Sequence, residues 1–370
     1  MLPRPADPAA AQRLHERFAA LGDEWAAFAA RPEAAALLDA LGGNSPFLGD
    51  LALREPGTLR RTLDEGAGAV VRDSLAALAA VPPESPRAQV ASAMRRAKRE
   101  VALAVAVADI AGMQSFGEIV DALTHLAEAA LRLACAHLLL AAHARGDLRL
   151  PALLADPARG SGLAVLGMGK LGAGELNYSS DVDLVLLYDP DAHPYHTDGL
   201  RAAFTRLARD LVTLMEARDA DGYVFRVDLR LRPDPAATPP AVSLPAAIAY
   251  YESMGLNWER AAMTKARPVA GDFAVAAQFL DAIRPFVWRR GLDFAALADI
   301  HAMKRRVDSH KGTALGTDGP PAARLLGHDV KVGQEPPPER EVAPDRTRLD
   351  HGGALPVLAD AFVVVIGGVG

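Results

Sequence analysis

Residues 163–188 read L-A-V-L-G-M-G-K-L-G-A-G-E-L-N-Y-S-S-D-V-D-L-V-L-L-Y. Four apolar residues, 163–166, lead into a segment with glycine at 167, 169, 172 and 174 and a single lysine, Lys170. A polar Asn177-Tyr178-Ser179-Ser180 segment follows. Asp181 and Asp183 then open a second apolar run, Val182–Tyr188. Short apolar runs bounded by glycine and polar residues predict strands. The stretch is therefore a strand, a loop of the size that wraps a phosphate, and a strand that begins with two carboxylates.

Upstream of it the period is helical. Leu14, Phe18 and Leu21 recur at about one turn, and a second helical pattern covers 33–41. Ser45 is the expected N-cap of a helix with Pro46 at its first position. Short helices are predicted over 47–53, 58–65 and 73–80, and a long one over 87–111. The long one carries a basic cluster, Arg95-Arg96-Ala97-Lys98-Arg99, which reads as a solvated helix face, with a partner or nucleotide contact as the alternative. Ser115 and Glu118 have capping-box spacing for a helix running to about residue 144. Within it Cys135 reads as a buried, inert thiol.

Downstream, Leu200, Phe204, Leu207, Leu211, Leu214 and Met215 fall on one helical face. Residues 223–232 then alternate. Phe225, Val227, Leu229 and Leu231 point one way, and Arg226, Asp228, Arg230 and Arg232 the other, which predicts a ten-residue strand with one buried face. Helices are expected over 246–262, 273–286 and 294–307. Beyond about residue 311, Gly, Pro and Arg dominate and no period survives, so 312–370 reads as irregular or disordered. The division is a helical region, 1–145, a core, 146–240, a second helical region, 241–311, and the tail, 312–370. Few strands among many helices make the class α+β.

Asp181 and Asp183 sit two apart on a strand, so their side chains share a face and lie roughly 6–7 Å apart along it. Such a pair suits divalent ions, and Mg²⁺ takes one or two carboxylates plus substrate phosphates. Two ions roughly 3.5–4 Å apart hold the attacking and leaving oxygens of a phosphoryl displacement. Asp228 is the placed candidate for a third carboxylate. Arg226, Arg230 and Arg232 would offset phosphate charge. Backbone N–H groups over 167–172, Gly167 and Gly169 included, would cradle phosphates beside the Lys170 charge.

Two other patterns compete. Gly167-Met168-Gly169-Lys170-Leu171-Gly172 matches G-x-G-x-x-G, the dinucleotide fingerprint. A crossover helix must follow that fingerprint, and the short polar segment before residue 182 leaves no room for one. A P-loop needs Ser or Thr after the lysine, and Leu171 stands there. His193 and His196, near Asp198, have metal-pair spacing but read as solvent-exposed loop residues.

Bulk properties narrow the class. The 370 residues, 50% hydrophobic and 23% charged, can bury a core over two or three domains, and with only 5% aromatics that core is Ala, Leu and Val. A formal net charge of −6 argues against nucleic acid as the main partner. One cysteine excludes an internal disulfide. No signal-peptide core and no uncharged run long enough for a membrane span are evident, so the expectation is a cytoplasmic protein with no membrane association.

The motifs resemble the glutamine synthetase adenylyltransferases. The resemblance rests on G-M-G-K-L-G-x-x-E-L-N-Y-S-S-D-V-D-L-V at 167–185 and V-F-R-V-D-L-R-L-R-P at 224–233. It continues through Y-Y-E-S-M-G-L-N-W-E-R-A-A-M-x-K-A-R-P-V-A-G-D at 250–272 and H-A-M-K-R-R at 301–306, with G-N-S-P-F-L at 43–48 upstream. It implies a polymerase-β-like nucleotidyltransferase fold, a small mixed sheet embedded in helices. It also implies Asp181, Asp183 and Asp228 as catalytic metal ligands, with Gly167, Lys170 and Ser180 along the nucleotide or phosphate.

Full-length members carry two such domains, and this chain looks like the N-terminal one. The resemblance implies removal of AMP from a tyrosine of glutamine synthetase by phosphorolysis, consuming phosphate and releasing ADP, under a nitrogen-signalling regulatory protein. The alternatives are the adenylylating direction, from ATP, and a non-catalytic fragment that only binds glutamine synthetase or its regulator. The second domain is missing from the sequence, and the family pattern decays after His310-Lys311-Gly312. A shifted reading frame in the source gene would explain both.

Overall fold

The computed structural model describes residues 2–151, 156–193 and 199–288. It opens with eight helices: α1 (Pro8–Ala19), α2 (Asp23–Ala29), α3 (Pro32–Asn44), α4 (Pro46–Arg54), α5 (Pro56–Glu65), α6 (Ala67–Ala79), α7 (Arg87–Ile110) and α8 (Phe116–Ala144). Their starts follow the expected capping chemistry. Ser45 Oγ accepts from the Leu48 N–H at 3.3 Å with Pro46 at the first position of α4. At α8 the Ser115 N–H donates to Glu118 Oε2 at 2.8 Å while Ser115 Oγ accepts from the Glu118 N–H at 3.4 Å, a complete capping box.

By length and composition α8 could cross a membrane, but 67% of its most apolar stretch is buried inside the protein. It is the central core helix. Cys135 within it is fully buried, and burial pushes its thiol up to about 12.

The second half alternates strands and helices: β1 (Leu163–Gly167), α9 (Gly169–Ala173), β2 (Val182–Tyr188), α10 (Leu200–Glu216), β3 (Val227–Asp228), β4 (Ala241–Ser243), α11 (Leu244–Ser253), α12 (Asn257–Met263), β5 (Arg267–Gly271), α13 (Phe273–Ala282) and α14 (Arg284–Val287). They form an α+β fold with one five-stranded mixed sheet. β1 pairs antiparallel with β2 on one side and with β5 on the other. The free edge of β2 is shared by two short parallel partners, β3 at Val182 and Asp183, then β4 over Leu186–Tyr188. The sheet thus draws strands from 163 to 271, past residue 240, where the sequence reading ends the core.

All seven residues of β2 are buried, because both faces of the sheet are covered. Val182, Leu184, Leu186 and Tyr188 enter one core with α6, α7, α8 and α10. Val185 and Leu187 enter a second core with α11, α13 and α14. A third core gathers α1–α5 against Leu103, Ala106 and Val107 of α7.

Several elements differ from expectation. The ten-residue strand over 223–232 is two residues long, because the chain leaves the sheet after Asp228 and returns as β4. The helix expected over 246–262 is split into α11 and α12 at Met254-Gly255-Leu256, where Gly255 lets Phe286 approach; a Cβ there would stand 2.6 Å from Phe286 Cε2. The helix expected over 273–286 divides at Ile283. The helix expected over 294–307, the H-A-M-K-R-R motif and the tail, 312–370, lie outside the described residues.

Candidate active site

The site lies where β1 ends, β2 begins and β3 pairs. Parallel pairing sets Asp183 directly opposite Asp228. Asp183 points to the same side as Val185 and Leu187, is 6% exposed, and gives its carbonyl to the Met168 N–H at 2.9 Å. Asp181 precedes β2 on the same side. Asp183 is pushed up to about 7, by burial first and then by the negative charges of Asp228 and Asp181, with Arg230 and Lys170 pulling the other way. Five of the residues read from the sequence therefore meet here.

The arginines hold two of the three carboxylates. Arg226 donates to Asp181 and, at 2.6 Å, to the carbonyl of Ser179, a residue in the left-handed region at φ 57°. Arg230 binds Asp228 in bidentate fashion, its Nε 2.8 Å from Oδ2. Burial opposes ionisation of Asp228, but these Arg230 bonds outweigh it and its pKa falls below the usual range. Arg232 adds its charge to the field on Asp228 but makes its hydrogen bonds elsewhere. It donates to the carbonyls of Leu229 at 2.8 Å, Pro235 at 2.8 Å and Thr238 at 3.1 Å, shaping the loop between β3 and β4.

The glycine segment forms a one-turn helix, α9, close under Asp183. Gly169 has φ +52°, and a Cβ on it would lie 2.7 Å from Asp183 Oδ2, so only glycine admits the approach. Gly167 closes β1, and a Cβ on it would meet Val269. The Gly172 N–H is spent on the Met168 carbonyl and the Met168 N–H on Asp183, so part of the expected phosphate cradle is already hydrogen-bonded. Asn177, not singled out in the sequence, accepts from Lys170 Nζ at 3.3 Å and from Ser180 Oγ. It links the lysine to the serine just before Asp181.

Oxygen-only donors around an acid whose proton affinity is raised by its own neighbours fit a hard divalent cation, which relieves the same repulsion. Among the described residues no three acidic, His or Cys groups already converge on one point. Asp181 and Asp228 would exchange an arginine for the cation.

Two readings are corrected. His193 is no solvent-exposed loop residue: it is 3% exposed, its Nε2 lies 2.8 Å from the Ser161 carbonyl, and its ring sits 5.9 Å from that of Phe204. His196 and Asp198 lie outside the described residues. The basic cluster on α7 is no solvated face either, apart from exposed Arg96. Arg95 is 6% exposed and holds Asp219 at 2.6 Å, while Arg99 holds Glu55 at 2.6 Å. The dinucleotide pattern falls away as expected, since β1 and β2 are antiparallel with only α9 between them.

A small mixed sheet set among helices gives the protein an α+β, nucleotidyltransferase-like fold. Residues 35–282 match the family described as glutamate-ammonia ligase adenylyltransferase, and the chain belongs to that family. It is 46% identical over 321 residues to a bifunctional glutamine synthetase adenylyltransferase/adenylyl-removing enzyme of Rhizobium meliloti, covering 85% of this chain and 32% of that protein. With the enzyme of the same description from Xanthobacter autotrophicus the identity is 45% over 331 residues, covering 89% and 33%. The chain thus spans about a third of the length of the curated relatives it matches.

Proposed function

We propose that this chain acts on glutamine synthetase and removes AMP from an adenylylated tyrosine by phosphorolysis. The observation that carries the reading is the register of Asp183 on Asp228 beside Asp181, at the mouth of the glycine turn. An oxygen of inorganic phosphate attacks the α-phosphorus of the tyrosyl-AMP. The bond from that phosphorus to the tyrosyl oxygen breaks, giving ADP and the unmodified tyrosine side chain once the oxygen takes a proton. The relatives' names, which include adenylyl-removing activity on glutamine synthetase, support the substrate.

In this reading Asp181, Asp183 and Asp228 hold divalent metal, with Mg²⁺ the expected ion. When bound, it supplies charge neutralisation at the entering and leaving oxygens. Lys170, fixed by Asn177, and Arg230 stand where they attract the phosphate groups, and Ser180 lines the nucleotide side. Burial of Asp183 keeps water from competing for its oxygens. A cytoplasmic setting, with a nitrogen-signalling regulatory protein as second partner, belongs to the same proposal.

The test is incubation with adenylylated glutamine synthetase, Mg²⁺ and phosphate, reading ADP release and loss of AMP-tyrosine, for wild type and Asp181→Ala. Phosphate-dependent ADP release that falls in the variant by a factor on the order of a hundred or more supports the mechanism. Equal activity in both excludes it. AMP incorporation from ATP without phosphorolysis assigns the opposite direction.

A further inference from the structure

β3 carries the third carboxylate, yet it is two residues long. Two residues of pairing do not hold a strand in place by themselves. What approaches it is the segment 217–225, which leaves the end of α10 through a tight turn closed by Asp219 and Gly222, each N–H on the other's carbonyl at 3.1 Å. Beyond the turn, Val224 and Phe225 are buried in the core and their N–H groups donate to the Met215 carbonyl at 3.0 and 3.1 Å. The exposed turn itself is gripped by α7, an element about 120 positions earlier in the chain, and by Arg54, which donates to the Ala220 carbonyl at 2.7 Å.

The grip of α7 has three points. Arg95 donates from Nη1 to Asp219 Oδ2 at 2.6 Å and from Nη2 to the Ala217 carbonyl at 2.7 Å. Arg99 reaches the Asp221 carbonyl at 3.1 Å while its Nε is held by Glu55 at 2.6 Å, so the contact has α4–α5 behind it. Lys98 stands over the Phe225 ring, its Nζ 3.9 Å from the centroid. Phe225 directly precedes Arg226, whose carbonyl accepts from the Val182 N–H at 2.9 Å. Lys98 also repels the Arg226 guanidinium. Arg95 is buried with its Nε unpartnered, so its two Nη bonds to the turn are the ones that offset the cost of burying the guanidinium, and a displaced turn would forfeit them.

Taking the phosphoryl-transfer reading above as given, we infer that Arg95 and Arg99 are positioning residues for the active site: α7 sets the turn that brings Arg226 and Asp228 against Asp181 and Asp183. The helical region upstream of the sheet is then part of the catalytic apparatus, although among the described residues its side chains make no hydrogen bond or ion pair with the three carboxylates.

Amide hydrogen exchange and Mn²⁺ titration on the full chain test this. The variants are Arg95→Met, Asp219→Asn and Arg95→Lys, with Arg61→Met, which breaks surface ion pairs of α5 with Glu65 and Asp73, as a control for general destabilisation. Arg95→Met and Asp219→Asn are expected to raise exchange of the 222–228 amides at least tenfold, with β1 and β2 unchanged. The Mn²⁺ dissociation constant should rise several-fold alongside. Arg95→Lys, which keeps the charge but reaches one partner instead of two, should fall between, and Arg61→Met should leave both readings alone.

Asp219→Asn keeps the residue's shape, so it reports even where Arg95→Met does not fold. Unchanged exchange of 222–228 in Asp219→Asn and Arg95→Met overturns the inference, as does faster exchange with unaltered Mn²⁺ affinity. A wild-type chain that binds no Mn²⁺ overturns the proposed function instead, and the exchange pattern alone then decides the grip.

Discussion

The two sides of the site are built by different means. On one side, β1, α9 and β2 follow one another within 26 residues, 163–188, and backbone pairing places Asp183. On the other, Asp228 comes from a strand of two residues, and guanidinium groups place it: Arg230 on its carboxylate, Arg232 on the loop beyond, Arg95 and Arg99 on the turn before. A site can thus be rigid where its backbone is regular and equally well placed where it is not, provided charged side chains supply the missing ladder. The charge-built side reaches as far as α7, about 120 positions earlier in the chain.

Four substitutions sharpen or break that contrast. The largest effect is expected at a remote anchor of the backbone-built side. Arg267 donates to the Leu171 carbonyl at 3.0 Å and the Gly172 carbonyl at 3.1 Å and pairs with buried Glu128. Arg267→Met leaves Glu128 to half-exposed Arg132 alone and should cost about 3 kcal/mol in chemical denaturation. A loss below about 1 kcal/mol would show that pairing alone holds that side.

Gly169→Ala comes next. Its positive φ and the close approach to Asp183 together should cost about 2 kcal/mol and displace the carboxylate, read as weakened Mn²⁺ binding alongside a lowered melting temperature.

Lys98 gives a smaller, pH-dependent effect on the charge-built side. Burial, and then repulsion from Arg226, lowers its pKa from 10.5 to about 8. A lysine whose folded pKa is depressed costs stability while protonated, and the cost disappears as pH rises from about 8 toward 10.5. Lys98→Met, which keeps the packing on Phe225, should be about 1 kcal/mol more stable than wild type at pH 7, discounted for the residue's partial exposure, and should lose that advantage by pH 10.5. Equal pH profiles would refute the burial of that charge.

Ser115→Ala is the smallest. Removing the capping hydroxyl should cost about 0.5 kcal/mol and leave the site untouched, as unfolding and metal titration would show.

The same contrast governs what the sequence revealed. β2 is found at its expected bounds, and β1 one residue longer, because glycine and aspartate bracket an uninterrupted apolar run. The alternation over 223–232 suggested one strand, but its apolar residues serve two cores. Phe225, Val227 and Leu229 pack with α7, α8 and α10, while Leu231 packs across the sheet with α11 and α13. Period alone does not distinguish a strand from a chain that crosses between cores. β5 escaped notice because it is five residues long, contains Pro268 and ends in Gly271, a run too short and too broken to show a strand period. The cluster on α7 looked solvated because its acidic partners, Glu55, Asp219 and Asp221, are distant in sequence. Buried His193 was hidden by the polar loop around it.

The pairing of β1 with β5 sets an order of assembly during synthesis. Ala164 meets Gly271, a partner translated 107 positions later (271 minus 164). As the ribosome makes the intervening segment, the helices α1–α8 can already have folded, while one edge of β1 stays unpaired. That edge is a row of bare N–H and C=O groups in an apolar strand, the kind that recruits another chain. A nascent chain arrested between Met263 and Arg267 would hold every carboxylate of the site and still lack the strand that closes the sheet.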